Sequence, residues 1–252
     1  MLKISIITVC YNSADTIEST VQSVISQDHP DIEYIIVDGG STDGTLAILD
    51  KYRSSFSKFI SEKDDGIYDA LNKGIALTTG DIIGILHADD FYESSTILSD
   101  VIKTFNEKDV DCVYGDLQYV DRLDTAIVKR NWVSGHYKKE NFLKGWMPPH
   151  PSFFVKKSCY GKFGNFSTQL KTAADYELML RFLFKHNCSV AYLPKVLVKM
   201  RVGGKSNVSI MNRVKANRED KRAWQMNGLT PGMFTFIRKP LSKVGQFFHN
   251  KM

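Results

Sequence analysis

The chain has 252 residues, 43% of them hydrophobic and 24% charged, with 17 glycines and 7 prolines. This excludes disordered, collagen-like and low-complexity chains, and predicts one α/β domain with a real core and an appendage rather than two equal domains. The net charge of +5 hides an asymmetry: residues 1–198 carry 21 Lys and Arg against 26 Asp and Glu, whereas residues 199–252 carry 12 against Glu219 and Asp220 alone.

In the first half, short β-branched runs alternate with amphipathic segments, the pattern of a parallel sheet with crossover helices. Ile4–Val9 reads as the first strand. Asp15-Thr16-Ile17-Glu18 reads as a capped helix start, with Ile17, Val21, Val24 and Ile25 on one face. Glu33–Val37 is the second strand, followed by a Gly-rich turn and a helix bearing Leu46, Leu49 and Tyr52. Phe59–Ser61 is a third strand, and Ile67, Ala70, Leu71, Gly74 and Ile75 mark the next helix. A buried strand, Ile82–Leu86, ends at His87-Ala88-Asp89-Asp90; a helix with Ile97, Leu98, Val101, Ile102 and Phe105 and the strand Cys112–Tyr114 come next. Beyond about residue 120 the alternation weakens. Leu178–Phe184 reads as a helix, Val190–Leu193 and Val196–Val198 as short strands, and Val208–Asn227 as a basic helix. Residues 1–120 thus form a nucleotide-binding half, 121–200 an acceptor-facing half of the same domain, and 201–252 a basic helical extension.

Polar clusters follow consecutive strands: Cys10-Tyr11-Asn12, the run Asp38–Thr45, Asp64-Asp65 and Asp89-Asp90. In a parallel sheet the carboxyl ends share one edge, so these loops converge on the crevice where open α/β sheets bind ligands. Singly, each is also an ordinary turn. Asp38 and Asp43 can accept from a base or ribose while the glycine backbone between them donates to phosphate. The dinucleotide pattern GxGxxG is absent, and Gly203-Gly204-Lys205-Ser206 fails as a P-loop because its first glycine would fall on Lys199. Adjacent Asp89 and Asp90 repel unless a divalent cation sits between them and a diphosphate, with a solvated turn as the alternative. His87 and His150 are possible further ligands. Asp175, in Ala173-Ala174-Asp175-Tyr176-Glu177-Leu178, is either an N-cap or a base for an acceptor hydroxyl; Glu177 competes with it but points to another side of the helix. Cys10, Cys112, Cys159 and Cys188 show neither zinc spacing nor a disulfide framework.

In this order, Thr8-Val9-Cys10-Tyr11-Asn12, the run Val37–Thr45, Asp65-Gly66-Ile67-Tyr68-Asp69-Ala70-Leu71-Asn72-Lys73-Gly74, His87-Ala88-Asp89-Asp90 and Asp175-Tyr176-Glu177-Leu178 resemble family 2 glycosyltransferases. Pro148–Phe154 and Met200–Asn207 resemble the non-processive members that build bacterial surface polysaccharides. The resemblance implies a single A-type glycosyltransferase domain, with a mostly parallel Rossmann-like sheet flanked by helices. It implies inverting, metal-dependent transfer from a nucleoside-diphosphate sugar, UDP-linked before GDP-linked, to an acceptor hydroxyl. It further implies that Thr8 and Tyr11 line the base pocket, Asp38 binds the base, and Asp43 and Lys73 stand near the diphosphate and ribose. Asn12, Gly40, Ser41 and Asp65 complete the nucleotide set. Asp89 would bind the ribose and Asp90 the Mg2+ or Mn2+, with His150 as a second metal ligand, and Asp175 would be the base. His87 and Ala174 depart from the family pattern and motivate the alternative of a catalytically silent nucleotide-sugar-binding or membrane-associated scaffold.

In the tail, Ile237, Leu241, Val244 and Phe248 recur at helical spacing beside Arg238, Lys239, Lys243 and Lys251. Such a stripe suits an anionic membrane surface and a lipid-linked acceptor, or packs on the protein's own core. Nucleic acid is excluded as a partner for want of a reading motif. With no run of about 18 apolar residues, the expected location is cytoplasmic, peripheral on the inner face of the cell membrane.

Overall fold

A computed structural model describes residues 2–203, 210–232 and Thr235. The tail stripe and the second half of the Met200–Asn207 motif, residues 204–207, lie outside the described residues.

A nine-stranded mixed sheet runs through the molecule. β1 (Ile4–Cys10), β2 (Ile32–Asp38), β3 (Lys58–Ser61) and β4 (Ile82–Ile85) pair in parallel. The α-helices of this half are α1 (Ile17–Ile25), α2 (Thr45–Asp50), α3 (Ile67–Leu77) and α4 (Ile97–Lys108). β1 shows why its strand reads as an unbroken apolar run. Ile4 and Ile6 face α1 and α4, Ile7 and Val9 face α3, and both faces are covered. A Cβ at Gly74 would lie 2.5 Å from Ile7 Cγ2, so glycine in the α3 stripe is what lets that helix seat on β1.

The second half departs from simple alternation. β5 (Asp90–Tyr92), β6 (Cys112–Val120), β7 (Val128–Trp132), β8 (Phe153–Lys156) and β9 (Val190–Arg201) complete the sheet. β8 is antiparallel to β4 and β6, β5 to β9, and β7 to β6, while β6 and β9 are parallel. The helices here are α5 (Glu140–Leu143), α6 (Lys157–Phe163), α7 (Ala174–Met179) and α8 (Ile210–Met226), and α7 continues as a π-helical stretch, Leu180–Lys185. The two short strands expected at 190–198 are one strand. Pro194 lacks an N–H, and the ladder accommodates it with register shifts opposite Gly115. Ile25 and Ile67, expected on buried helical faces, are 42% and 45% exposed at a helix end and a helix start. Nor does a side chain cap α1: its N-cap is Thr16, and Ser19 Oγ donates to Thr16 O at 2.8 Å instead.

Candidate active site

The loops after β1, β2 and β3 are stitched together. Asn12 sits at φ 50°, a left-handed conformation that Asn tolerates. From there its N–H donates to Ser41 Oγ at 2.8 Å and its side-chain oxygen accepts the Thr42 N–H at 2.9 Å. Asp43 accepts the Thr45 N–H and hydroxyl and the Ala14 N–H. These donors, the Thr45 hydroxyl foremost, hold its carboxyl below the usual range. Gly39 N–H closes the seam onto Cys10 O at 2.9 Å, and Glu62 N–H onto Asp38 O at 3.0 Å.

Asp38 is wholly buried and saturated. It accepts the Gly40 and Ser41 N–H groups and the Ser61 hydroxyl on one oxygen, and the Ser41 hydroxyl on the other. Gly40, at φ 82°, makes that turn possible. The expected base-binding carboxylate is therefore placed as the knot of its own loop. Thr8 is also fully buried, with its hydroxyl 3.2 Å from Tyr34 Oη, rather than on the cleft wall. Tyr11, by contrast, is half exposed at the rim.

Of the two acids after β3, Asp64 faces the seam. A Cβ on Gly39 would collide with its carboxylate and stand 3.2 Å from its Cγ and 3.6 Å from Cys10 O. Asp65 is exposed, its N–H donated to Asp69. Lys73 pairs with Glu62 at 2.8 Å and Asp69 at 3.3 Å, and these partners push its ammonium up. The structure thus groups Lys73 with the rim acids. Gly39→Ala is expected to lower stability by about 0.5–1.5 kcal/mol through this clash, because the atom met first is the end of the half-exposed Asp64 side chain, which can turn aside. Thermal melts should show the loss largely recovered when Asp64→Ala is added.

Beyond β4 the chain brings together what the sequence left apart. Asp89 is half-buried, and no side-chain hydrogen bond is seen on its carboxylate, whereas Asp90 opens β5 with 1% exposure and a buried Oδ1 that finds no partner. Burial first, and the charge of Asp89 second, push Asp90 well above the ordinary carboxylate range. Arg201, the last residue of β9, holds this turn. It donates to Asp89 O and to Ser19 Oγ, both at 3.0 Å, and lies 4.8 Å over the Phe91 ring. The Met200–Asn207 motif contained it, but without a role assigned to it.

His87 and His150 lie ring to ring at 5.6 Å. Burial lowers each to about 4, so both are neutral near pH 7. The charges of Asp89 and Asp175 both reach His87, against the burial and the neighbouring His150 that lower it. Asp175 is not an N-cap: that position is Ala173, and Asp175 stands one residue inside α7. Its Oδ1 accepts from Tyr68 Oη at 3.3 Å, and the Tyr68 ring is stacked on Phe166. Tyr68 lies in the Asp65–Gly74 motif, whose pattern gave it no role of its own. Glu177 points away, as its spacing indicated, into a bidentate pair with Arg181.

Among the described residues no three His, Cys, Asp or Glu converge to hold a metal by themselves. The donor set nevertheless fits a hard divalent cation that takes one carboxylate from the protein and its other oxygens from a diphosphate and water. The accessible carboxylate for this is Asp89.

A family model described as glycosyl transferase family 2 matches residues 5–162. An uncharacterized glycosyltransferase of Mycobacterium tuberculosis is 33% identical over 181 residues, covering 71% of this chain and 68% of its own. The chondroitin synthase of Escherichia coli is 30% identical over 196 residues, which are 75% of this chain but 28% of that protein. Among solved structures, S. aureus TarS in complex with UDP-GlcNAc superposes with a TM-score of 0.68 at 18% identity, over 90% of this chain and 65% of that one. The mannosyltransferase PcManGT of Pyrobaculum calidifontis, in complex with GDP-Man and Mn2+, gives 0.66 at 18%, over 99% and 70%. At such identities the likeness carries the fold alone.

Proposed function

The chain belongs to glycosyl transferase family 2, and from that premise we propose that it moves a sugar, with inversion, from a UDP-sugar to an acceptor hydroxyl, with GDP-sugars as the less favoured donors. The observation that carries this reading is the stitching of the loops after β1 and β2 at the carboxyl edge of the parallel strands, with Asp89, in the turn after β4, at that same edge.

In the proposed reaction Tyr11 stacks on the base, and the backbone of the Gly39–Asp43 turn, braced by Asp38, Ser41 and Asn12, bounds the nucleotide. Asp64 takes the place that Asp65 held in the sequence expectation. Mg2+ or Mn2+, when bound, would neutralise charge on the departing diphosphate, with Asp89 as its protein carboxylate in place of Asp90. His150 lies beside His87 as a neutral imidazole, competent as a ligand in form. Asp175 removes the proton of the acceptor hydroxyl. That oxygen bonds to the anomeric carbon from the face opposite the diphosphate, as the bond to the diphosphate breaks. Tyr68 holds the Asp175 carboxylate in place. The acceptor we propose is a lipid-linked saccharide of surface-polysaccharide synthesis, met at the inner face of the membrane. Support for this is the basic apolar pattern of residues 237–252 in the sequence.

Calorimetric titration with UDP and GDP, with and without Mn2+, tests the donor site. The expected result is UDP binding that requires Mn2+. Binding of neither nucleotide by folded protein would overturn the reading. Metal-dependent binding without transfer or hydrolysis of any nucleotide sugar would leave the scaffold alternative.

A further inference from the structure

Resting on the reading of Asp175 as base, we infer that α8 is a clamp that positions it, with Glu219, Trp224 and Asn227 holding the chain on both sides of that carboxylate. From its charge, the helix suggested an appendage directed at an outside partner. Its described second half is instead built into the core. Ala223 and Trp224 are fully buried and Asn227 nearly so. The Trp224 ring meets Phe184 edge to face at 5.2 Å.

The hydrogen bonds from this half of α8 fall around one short segment. Upstream of Asp175, Glu219 accepts the Lys171 N–H at 3.0 Å and the Thr172 N–H and hydroxyl, both at 2.7 Å. Arg222 donates to Gln169 O at 3.2 Å. Downstream, Trp224 Nε1 donates to Tyr176 Oη at 2.8 Å, and Asn227 Nδ2 donates to Glu177 Oε1 at 2.9 Å. Asp175 lies between these two sets in the chain, its carboxylate accepting from Tyr68.

The segment needs an external hold. α7 has six residues and no side-chain cap, so its first turn is not fixed by its own sequence. A base displaced by about 1 Å can lose up to about 100-fold in rate. Glu219 and Trp224 of α8 and Asn227, the residue after it, therefore act as positioning residues, each through the main chain or a neighbour of Asp175.

The test uses the full chain and two variants chosen to fold. Trp224→Phe keeps a buried six-membered ring while removing the N–H with the rest of the indole; Glu219→Ala removes a partly exposed acceptor. Turnover is read as UDP release from UDP-GlcNAc, UDP-glucose and UDP-galactose, and amide hydrogen exchange is followed over 169–178. In both variants kcat should fall about tenfold with KM for the nucleotide sugar within about twofold, exchange should rise over 169–178, and Glu219→Gln, which keeps one acceptor oxygen for Thr172 but sets an amide N–H against that of Lys171, should recover only part of the loss. Wild-type exchange in both variants overturns the inference, as does wild-type kcat. An equal fall in Mn2+-dependent UDP affinity also overturns it, because that would mark general destabilisation. Asp175→Asn, measured alongside, separates the two readings. Retained turnover there removes the base assignment, whereas lost turnover there with wild-type kcat in both α8 variants removes only the clamp.

Discussion

Asp175→Asn is expected to lower kcat by about 10³-fold, within the range of roughly 10²–10⁴ that general-base catalysis contributes, while Mn2+-dependent UDP binding stays as in the wild type. Asn has the same shape, so the change removes a proton acceptor and little else. The surroundings support that separation. Asp175 caps no helix, its seen hydrogen bond comes from Tyr68 at 3.3 Å, and its side chain is half-buried. The stability cost should stay near the ~0.3–1 kcal/mol of an acidic group in a first helical turn. Glu177 cannot take over the proton, because both of its oxygens accept from Arg181 and one also from Asn227. Steady-state kinetics with a nucleotide sugar, paired with calorimetry, measure both halves. A kcat within threefold of wild type would sink the assignment.

The second large effect separates the adjacent acids. Asp89→Asn should weaken Mn2+-dependent UDP binding on the order of 100-fold, about 2.7 kcal/mol, because it removes the accessible anionic oxygen of the turn. Asp90→Asn should leave that titration unchanged and alter stability instead. Burial first, then the charge of Asp89, raise the Asp90 carboxyl well above its ordinary value, with Arg201 opposing. A carboxyl raised on folding contributes stability that is fully present below its unfolded value, near 4, and is lost as pH rises through its folded value. Asn is neutral at every pH and escapes that loss. Melts should therefore show Asp90→Asn more stable than wild type at pH 8, with the gain shrinking toward pH 4. The opposite pattern, UDP binding lost in Asp90→Asn and kept in Asp89→Asn, would return the metal to Asp90.

The local pattern of the chain already contained the parallel half of the fold. The apolar runs at Ile4–Cys10, Ile32–Asp38 and Ile82–Ile85, and the α3 stripe, are signals of period and β-branching that need no distant partner to be read. The gathering of polar loops at one sheet edge followed from the parallel order alone. The family was legible in motifs lying in sequence order, and the match over residues 5–162 agrees with it.

What the sequence could not decide was which member of each polar pair faces the cleft. Asp64 against Asp65 and Asp89 against Asp90 differ by one residue, and a single step reverses where a side chain points. Only the pairing of β5 with β9, with Arg201 beneath the turn, buries Asp90 and leaves Asp89 accessible. Likewise the meeting of Tyr68 with Asp175, and of α8 with α7, joins residues 107 and 48–50 positions apart. No periodicity encodes a contact of that span. Charge made residues 201–252 read as an appendage, whereas Trp224 and Asn227, buried by tertiary packing, join the described helix to α7.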